Sequence, residues 1–500
     1  MRKQIFFIAS IMSAALISCA VGPNFRSPEA PKTRAYTAEP LTAETPSSPG
    51  VGGASQLLVP GRDIPGQWWT LFHSAELDQV IRQALADNPT LAAAQATLRQ
   101  SQENLNALVG SALYPAVDAN GSVSNQKISG AAFAEPNVRF SPFTLYNASV
   151  NVSYTLDLFG GARRELEALQ SQVDFQRFQL EAAYLTITSN IVTTAVREAL
   201  LRAQLSATQE IISAEARQLD IIEMQFQLGG AARSDVLAQR TQLAQTRATL
   251  PPLQLALAQT RHLLAVLMGR LPSEAVNLPQ FTLDGLQLPI ELPVSLPSSL
   301  VRQRPDIRAS EALLHAANAE IGVATANLYP QLTLTGSYGS ESSTAATLFR
   351  SGSAVWSLSG GLLFPLFHGG ELNAKRRAAV AVFDQASAQY RQTVLQAFQN
   401  VADVLRALEA DANALKAQSD AAASARDLLE LTQKQFQLGS VSYLSLLNAE
   451  RAYQQTRISL VQAQAARFSD TAALFQALGG GWWNRYELAQ DGSFGFSKKE

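Results

Sequence analysis

Five hundred residues, 47% of them hydrophobic, carry 39 basic and 41 acidic side chains, a formal net charge of -2. The near-neutral balance excludes the basic surface that phosphate neutralisation requires, so nucleic acid is not an expected partner. The single cysteine, Cys19, excludes internal disulfides and thiolate metal centres.

Residues 1–18 read as a signal peptide. Arg2 and Lys3 supply the positive start, and residues 5–17 supply an apolar core too short to span a bilayer. Leu16-Ile17-Ser18-Cys19 resembles the lipobox of bacterial lipoproteins, in which the cysteine becomes the acylated, palmitate-bearing first residue of the mature chain. Lipidation is therefore expected at Cys19. Ala20 follows it, in place of the aspartate that often retains lipoproteins at the inner membrane, which favours the outer membrane. Several acyl chains anchor stably where one is marginal. Residues 19–65 are rich in Pro, Ser, Thr and Gly and lack apolar periodicity, as expected of a lipid-anchored tether or wrapping arm.

A first unit is expected over 66–270. Its opening helix covers 89–113, and the segments 117–124 and 147–156 then alternate apolar and polar residues as strands do. Residues 162–228 run without proline, with apolar side chains such as Leu166, Leu169, Val173 and Leu180 at three- and four-residue steps. A helix of that length is on the order of 100 Å long. Gly229 ends it, and a further helix over 231–268 contains Pro251-Pro252, which should kink or interrupt it. A Pro-rich linker, 271–298, leads to a second unit over 299–481, and 482–500 form a short tail.

The second unit repeats the first. Gln225-Phe226-Gln227-Leu228-Gly229 returns as Gln435-Phe436-Gln437-Leu438-Gly439, Asn88-Pro89 answers Arg304-Pro305, and Tyr114-Pro115 answers Tyr329-Pro330, at a shift of roughly 210 to 216 residues. Its helices are expected at 305–328, 371–438 and 441–478, and its strands at 331–338 and 356–362. In each copy the two shorter helices together nearly match the long one, which suits a column of uniform height. No apolar run after residue 20 approaches the roughly 18 residues of a spanning helix, so a membrane crossing must be a β-barrel. Four alternating strands are too few, since bacterial barrels begin at about eight. Several chains must contribute four each; two would give eight strands and three would give twelve, and the pattern leaves that choice open.

On these residues the chain resembles the TolC-like outer membrane factors, in particular the lipoprotein (NodT-type) branch serving resistance-nodulation-division efflux pumps. The resemblance is carried by Cys19-Ala20-Val21-Gly22-Pro23-Asn24-Phe25, by Trp68-Trp69 with Phe72 and Leu77, and by Leu156-Asp157-Leu158-Phe159-Gly160-Gly161. Arg304-Pro305-Asp306-Ile307 with Glu311, Leu328-Tyr329-Pro330, and Phe364-Pro365-Leu366-Phe367 with Gly369-Gly370 extend it through the second copy. It implies an α+β membrane protein with an internal two-fold repeat, a long α-helical barrel in the periplasm and a transmembrane β-barrel of 12 strands closed by homotrimerisation. It implies as partners the identical chains, outer-membrane lipid, a periplasmic adaptor and an inner-membrane pump. Drugs or other small molecules would leave through the duct, and the strand tips at 131–139 and 341–349 would face the cell exterior.

By the same resemblance Leu444 and Asn448 occupy constriction-ring positions at the start of the last helix. The family often carries aspartate where this chain has Asn448, so the ring here would be neutral and bind cations less well. Arg233, Ser234 and Asp235, with the turn glycines Gly229 and Gly439, mark the tip where an adaptor would dock. Asp235 with Tyr443 or Arg451 is the candidate latch. The plainer reading makes Ser234 and Asp235 ordinary helix-start residues and Leu444 a packing residue.

No cofactor, metal or catalytic residue is expected. His73, His262, His315 and His368 are far apart, and no nucleophile elbow, phosphate loop or paired-carboxylate constellation stands out. Two other functions remain open on sequence. Within the fold, the duct could serve a protein-secreting or major-facilitator-type exporter. From another class, the chain could be a lipid-anchored structural coiled coil.

Overall fold

The computed structural model describes residues 20–33, 35–129 and 141–485. Its elements in chain order are β1 (Leu57–Pro60), α1 (Ala75–Asp87), α2 (Pro89–Leu113), β2 (Ala116–Gln126), β3 (Phe143–Leu156), α3 (Gly161–Gln227), α4 (Arg233–Ala248) and α5 (Leu250–Leu267). The second copy adds β4 (Glu291–Val294), α6 (Pro297–Gln303), α7 (Pro305–Ala326), β5 (Gln331–Ser342), β6 (Ala354–Leu363), α8 (Glu371–Gln437) and α9 (Tyr443–Ala477). The signal segment, Cys19, the strand tip at 131–139 and the tail beyond 485 lie outside the described residues. Two compact units form, and each draws on both sequence copies. One contains Thr97–Arg177 and Ala309–Arg391, the other Glu29–Ala96, Phe178–Arg308 and Gln392–Glu500.

The first unit is built on one antiparallel sheet in the order β2-β3-β5-β6. Register fixes which side chains share a face. Val117 opposes Val152, Val150 opposes Tyr338, Tyr154 opposes Leu334, and Tyr338 opposes Trp356, so one face is apolar across all four strands. The other face carries Asp118 opposite Asn151, Asn151 opposite Ser337, and Ser337 opposite Ser357. Hydroxyls bond across it: Ser337 to Ser357 at 2.8 Å, Thr335 to Ser359 at 2.8 Å and Thr155 to Thr333 at 3.2 Å. Because side chains alternate strictly along a strand, a one-residue slip would exchange the two faces. The apolar face is uncovered in the single chain; Trp356 is 76% and Leu358 79% exposed.

The segment after Cys19 is pinned within this unit. Val21 N–H donates to Phe159 O at 3.0 Å. Arg164, at the start of α3, donates to the carbonyl oxygens of Val21 and Gly22 and to Asn24 Oδ1. From α7, Asn318 donates to Pro23 O at 3.0 Å, and the His315 ring stacks on Phe25 at 4.2 Å while Nε2 meets Glu167. The run Val21-Gly22-Pro23-Asn24-Phe25 is thus a set of contacts to α3 and α7.

In the second unit an aromatic core joins the copies. Trp68 stacks on Phe475 at 5.2 Å and meets Phe72 edge-on, and Leu77, Val80, Ile81 and Ala84 of α1 are buried. The two helix-opening prolines follow residues that do the same job by different chemistry. Asn88 Nδ2 donates to Leu267 O, at the end of α5, at 2.7 Å. Arg304 Nη1 donates to Ala477 O, at the end of α9, at 2.8 Å. Each satisfies a carbonyl that the helix end leaves open. The helix after Gly229 is interrupted at Thr249, where Pro251 and Pro252 start α5; α9 runs unbroken through the equivalent Val461.

The arm before α1 is more structured than its composition predicts. β1 pairs in parallel with β4, a two-stranded sheet with no periodicity long enough to signal it. Gln56 donates to Pro289 O and Thr471, each at 3.0 Å, and the fully buried Arg467 of α9 donates to Ala54 O at 3.1 Å and Gln56 Oε1 at 2.7 Å. Arg467→Ala should therefore free the arm. Loss of charge-assisted bonds of this kind costs about 3 kcal/mol, and we expect much faster proteolysis within residues 42–56 while β2, β3, β5 and β6 stay protected.

Candidate functional site

The helix hairpins of both copies end in the same backbone turn. Gly230 N–H donates to Gln225 O at 2.7 Å and Gly229 N–H to Phe226 O at 3.0 Å; Ser440 and Gly439 repeat the pair on Gln435 and Phe436, each at 2.9 Å. Gly229 (φ 78°) and Gly439 (φ 71°) adopt the left-handed conformation this closing motif requires. The sequence Gln-Phe-Gln-Leu-Gly recurs because the turn needs its glycine at the same offset.

The next helices start differently. Asp235 Oδ2 accepts from Ala232 N–H at 3.2 Å, whereas Ser442 caps α9 by accepting from Ser445 N–H at 3.3 Å. Arg233 and Ser234 are exposed beside Asp235. On α9, Leu444 (62% exposed) and Asn448 share the open face by their four-residue spacing. Tyr443, Leu446, Leu447 and Glu450 face inward, where Tyr443, Leu446 and Leu447 cluster with Ile222 of α3 and Val236 of α4.

Behind that cluster lies a polar seam that sequence reasoning missed. The Tyr443 hydroxyl donates to Gln239 Oε1, and Gln239 Nε2 donates to Glu215 O at 3.0 Å. Arg451 Nε donates to Gln242 Oε1 at 2.7 Å. Glu215 Oε1 accepts from Gln242 Nε2 at 3.2 Å, from Thr246 Oγ1 at 3.0 Å and from Gln454 Nε2. The expected residues Tyr443 and Arg451 thus bridge to α4 through Gln239 and Gln242, and Asp235 bonds to its own helix start. The available signal was Gln239, Gln242 and Thr246 recurring at three- and four-residue steps in the same stripe as Val236 and Leu243. Burial, then the negative charge of Glu450, raises the Tyr443 pKa, so the phenol stays a hydrogen-bond donor.

A sheet with too few strands to close, joined to two long helix hairpins with capped ends, defines one subunit of an oligomeric membrane channel. A profile described as Outer membrane efflux protein matches residues 80–270 and 296–480, and the chain belongs to that family. It is 30% identical over 452 residues to the pyoverdine export outer membrane protein OpmQ of Pseudomonas putida, a match spanning 88% of this chain and 95% of that one. It is 29% identical over 481 residues to the cation efflux system protein CusC of Escherichia coli, covering 94% and 98% respectively. The solved outer-membrane channel OprN superposes with a TM-score of 0.83 at 26% identity, covering 93% of this chain and all of that one.

Tyr443→Phe would leave Gln239, which is fully buried, without its donor. The expected loss is about 1–2 kcal/mol, confined to the hairpin ends. Trypsin cleavage at Arg233 should quicken by about tenfold, with the melting of the aromatic core unchanged.

Proposed function

We propose that the chain is one third of an outer-membrane exit duct of a tripartite efflux pump, receiving small molecules from an inner-membrane pump through a periplasmic adaptor. The observation that carries this reading is the four-stranded sheet. One face is apolar and exposed, the other is a hydroxyl-lined wall, and both edge strands have a neighbour on one side only. In hydrocarbon an unpaired backbone edge costs several kcal/mol per group, so the sheet must close on identical copies. Three copies give about twelve strands, enough for a water-filled interior. The duct has no chemistry of its own, and relatives named for cargoes as unlike as pyoverdine and cations share nearly the same identity with this chain.

The lipid and lumen assignments can be separated on neighbouring residues of β6. Leu358→Arg puts a charge on the apolar face, at about 2–4 kcal/mol near the bilayer midplane, and should abolish the heat-modifiable trimer in outer-membrane fractions. Ser357→Arg points to the other face, so the trimer should assemble but favour anions in planar bilayers. Equal loss of assembly in both variants would count against the barrel.

We assign the narrowing to the hairpin ends, with Leu444 and Asn448 lining it and Arg233, Ser234, Asp235 and the Gly229 and Gly439 turns available to the adaptor. Leu444 is exposed at the first turn of α9 on the face that has no partner in the single chain. Leu444→Ser should raise single-channel conductance severalfold, and Asp235→Ala should raise the fraction of time open by fraying the first turn of α4. Unchanged currents in both would place the constriction elsewhere.

A further inference from the structure

Two carboxyl groups are buried in the polar seam. Glu215 of α3 is 2% exposed and Glu450 of α9 is 8% exposed. Among the described residues, the Oε2 atom of each is buried without a hydrogen-bond partner, and neither side chain forms an ion pair. Glu215 and Glu450 belong to different sequence copies, and Gln454, one turn beyond Glu450 on α9, donates to Glu215 Oε1, so the two carboxyls are neighbours only while the first hairpin is packed against α9. We propose that this pair is a proton-operated catch: one proton held on Glu450 keeps the hairpins packed, and its loss sets two buried negative charges against each other across the seam. The catch rests on the reading of the hairpin ends as the closing end of the duct.

The two carboxyls are not equivalent. Glu215 Oε1 accepts three hydrogen bonds, from Gln242, Thr246 and Gln454. Glu450 has no such set, so the proton resides there. The surrounding charges are already engaged. Arg451 Nε is held by Gln242, Asp235 caps α4, and Arg240 of α4 pairs with Glu223 of α3 at 2.8 Å. Arg457 of α9 meets Glu210 of α3 at 3.7 Å, and on α8 Arg426 pairs with Glu430 at 3.1 Å in the open. The Tyr443 hydroxyl faces Gln239.

Burial, then the charge of Glu215, pushes the Glu450 carboxyl up to about 7 from its ordinary 4.5. Parted and hydrated, the same group would return toward 4.5. The packed seam therefore binds the proton more tightly than the parted one. Its advantage is complete below about 4.5, is lost as pH rises to about 7, and does not change further above that. Acid locks the seam and neutral pH loosens it.

The test uses the full-length, lipidated oligomer in lipid nanodiscs. Amide hydrogen exchange of peptides covering residues 443–456, corrected for intrinsic rates, is measured at pH 5 and pH 8 beside planar-bilayer conductance of the same preparation. Wild type should open the seam at least about tenfold more at pH 8 than at pH 5. Glu450→Gln, which keeps shape and removes the ionisation, should show the low acid value at both. Glu215→Gln removes the neighbouring charge and should move the midpoint downward. A Glu450→Gln protein that keeps the wild-type pH dependence, or an unmoved midpoint in Glu215→Gln, overturns the catch. Exchange is read whether or not ions pass. A Glu450-dependent exchange profile in a protein without conductance upholds the catch and sinks the duct reading; a conducting wild type with a flat exchange profile does the reverse.

Discussion

The structure depends on backbone groups that one chain leaves unpaired. β2 and β6 each carry a row of N–H and C=O groups toward the outside of a four-stranded sheet whose apolar face is bare. In water such edges invite aggregation, and in hydrocarbon they are prohibitive. Closure by identical copies removes them all at once. That single requirement accounts for the clean division of faces, because a closed barrel has one wall in lipid and one in water. It also accounts for the hydroxyl pairs on the inner wall, such as Ser337 with Ser357, which satisfy each other without adding charge to the lumen.

The helices meet a different demand at each end. Near the arm and linker the contacts are apolar and heavy: Trp68, Phe72, Phe468 and Phe475 pack together, and Asn88 and Arg304 fasten the ends of α5 and α9. Burial of this kind is non-directional and hard to undo. At the hairpin turns the contacts are mainly a small apolar cluster and a seam of glutamine, tyrosine, threonine and glutamate. Net hydrogen bonds there contribute about 1 kcal/mol each, but an unmade one costs more. A seam built that way is rigid while complete and yields as a unit.

Much of this was legible in the sequence. Proline-free stretches and alternating segments placed α2, α3, α8, α9 and all four barrel strands to within a few residues, because each element is long and its period is uninterrupted. The break at Thr249 followed from two successive prolines. The parallel pair β1–β4 was not legible, since four residues carry no usable period and the pairing joins segments more than 200 residues apart. The candidate site was legible in part. Gly229 and Gly439 announce the turns, and the family resemblance pointed to Tyr443 and Arg451 as partners of Asp235, whereas they bond to Gln239 and Gln242. Those partners did not stand out, because Gln239 and Gln242 are common on any helix and only burial against α3 and α9 distinguishes them. Likewise, Glu215 looks like one more solvated charge on a long helix until packing encloses it.

The repeat itself separates what the backbone requires from what the seam requires. Where the copies agree, as in Gln225 and Gln435 or Gly229 and Gly439, the residue serves a hydrogen bond or a dihedral that any hairpin of this form needs. Several of the differences fall on the seam, although Thr246 returns as Thr456. Shifted by about 210 residues, Glu215 lands on Ala425, Gln239 on Ala449 and Gln242 on Ala452, small residues that can neither accept a proton nor donate a bond. Read backwards, Glu450 lands on Arg240, which pairs with Glu223 at the surface. The buried acid pair therefore arises once in each chain and not at the pseudo-equivalent junction. In a ring that alternates the two kinds of junction, only one kind would carry the buried acid pair. The two junctions therefore differ chemically, an asymmetry that an exact duplication of the unit could not supply.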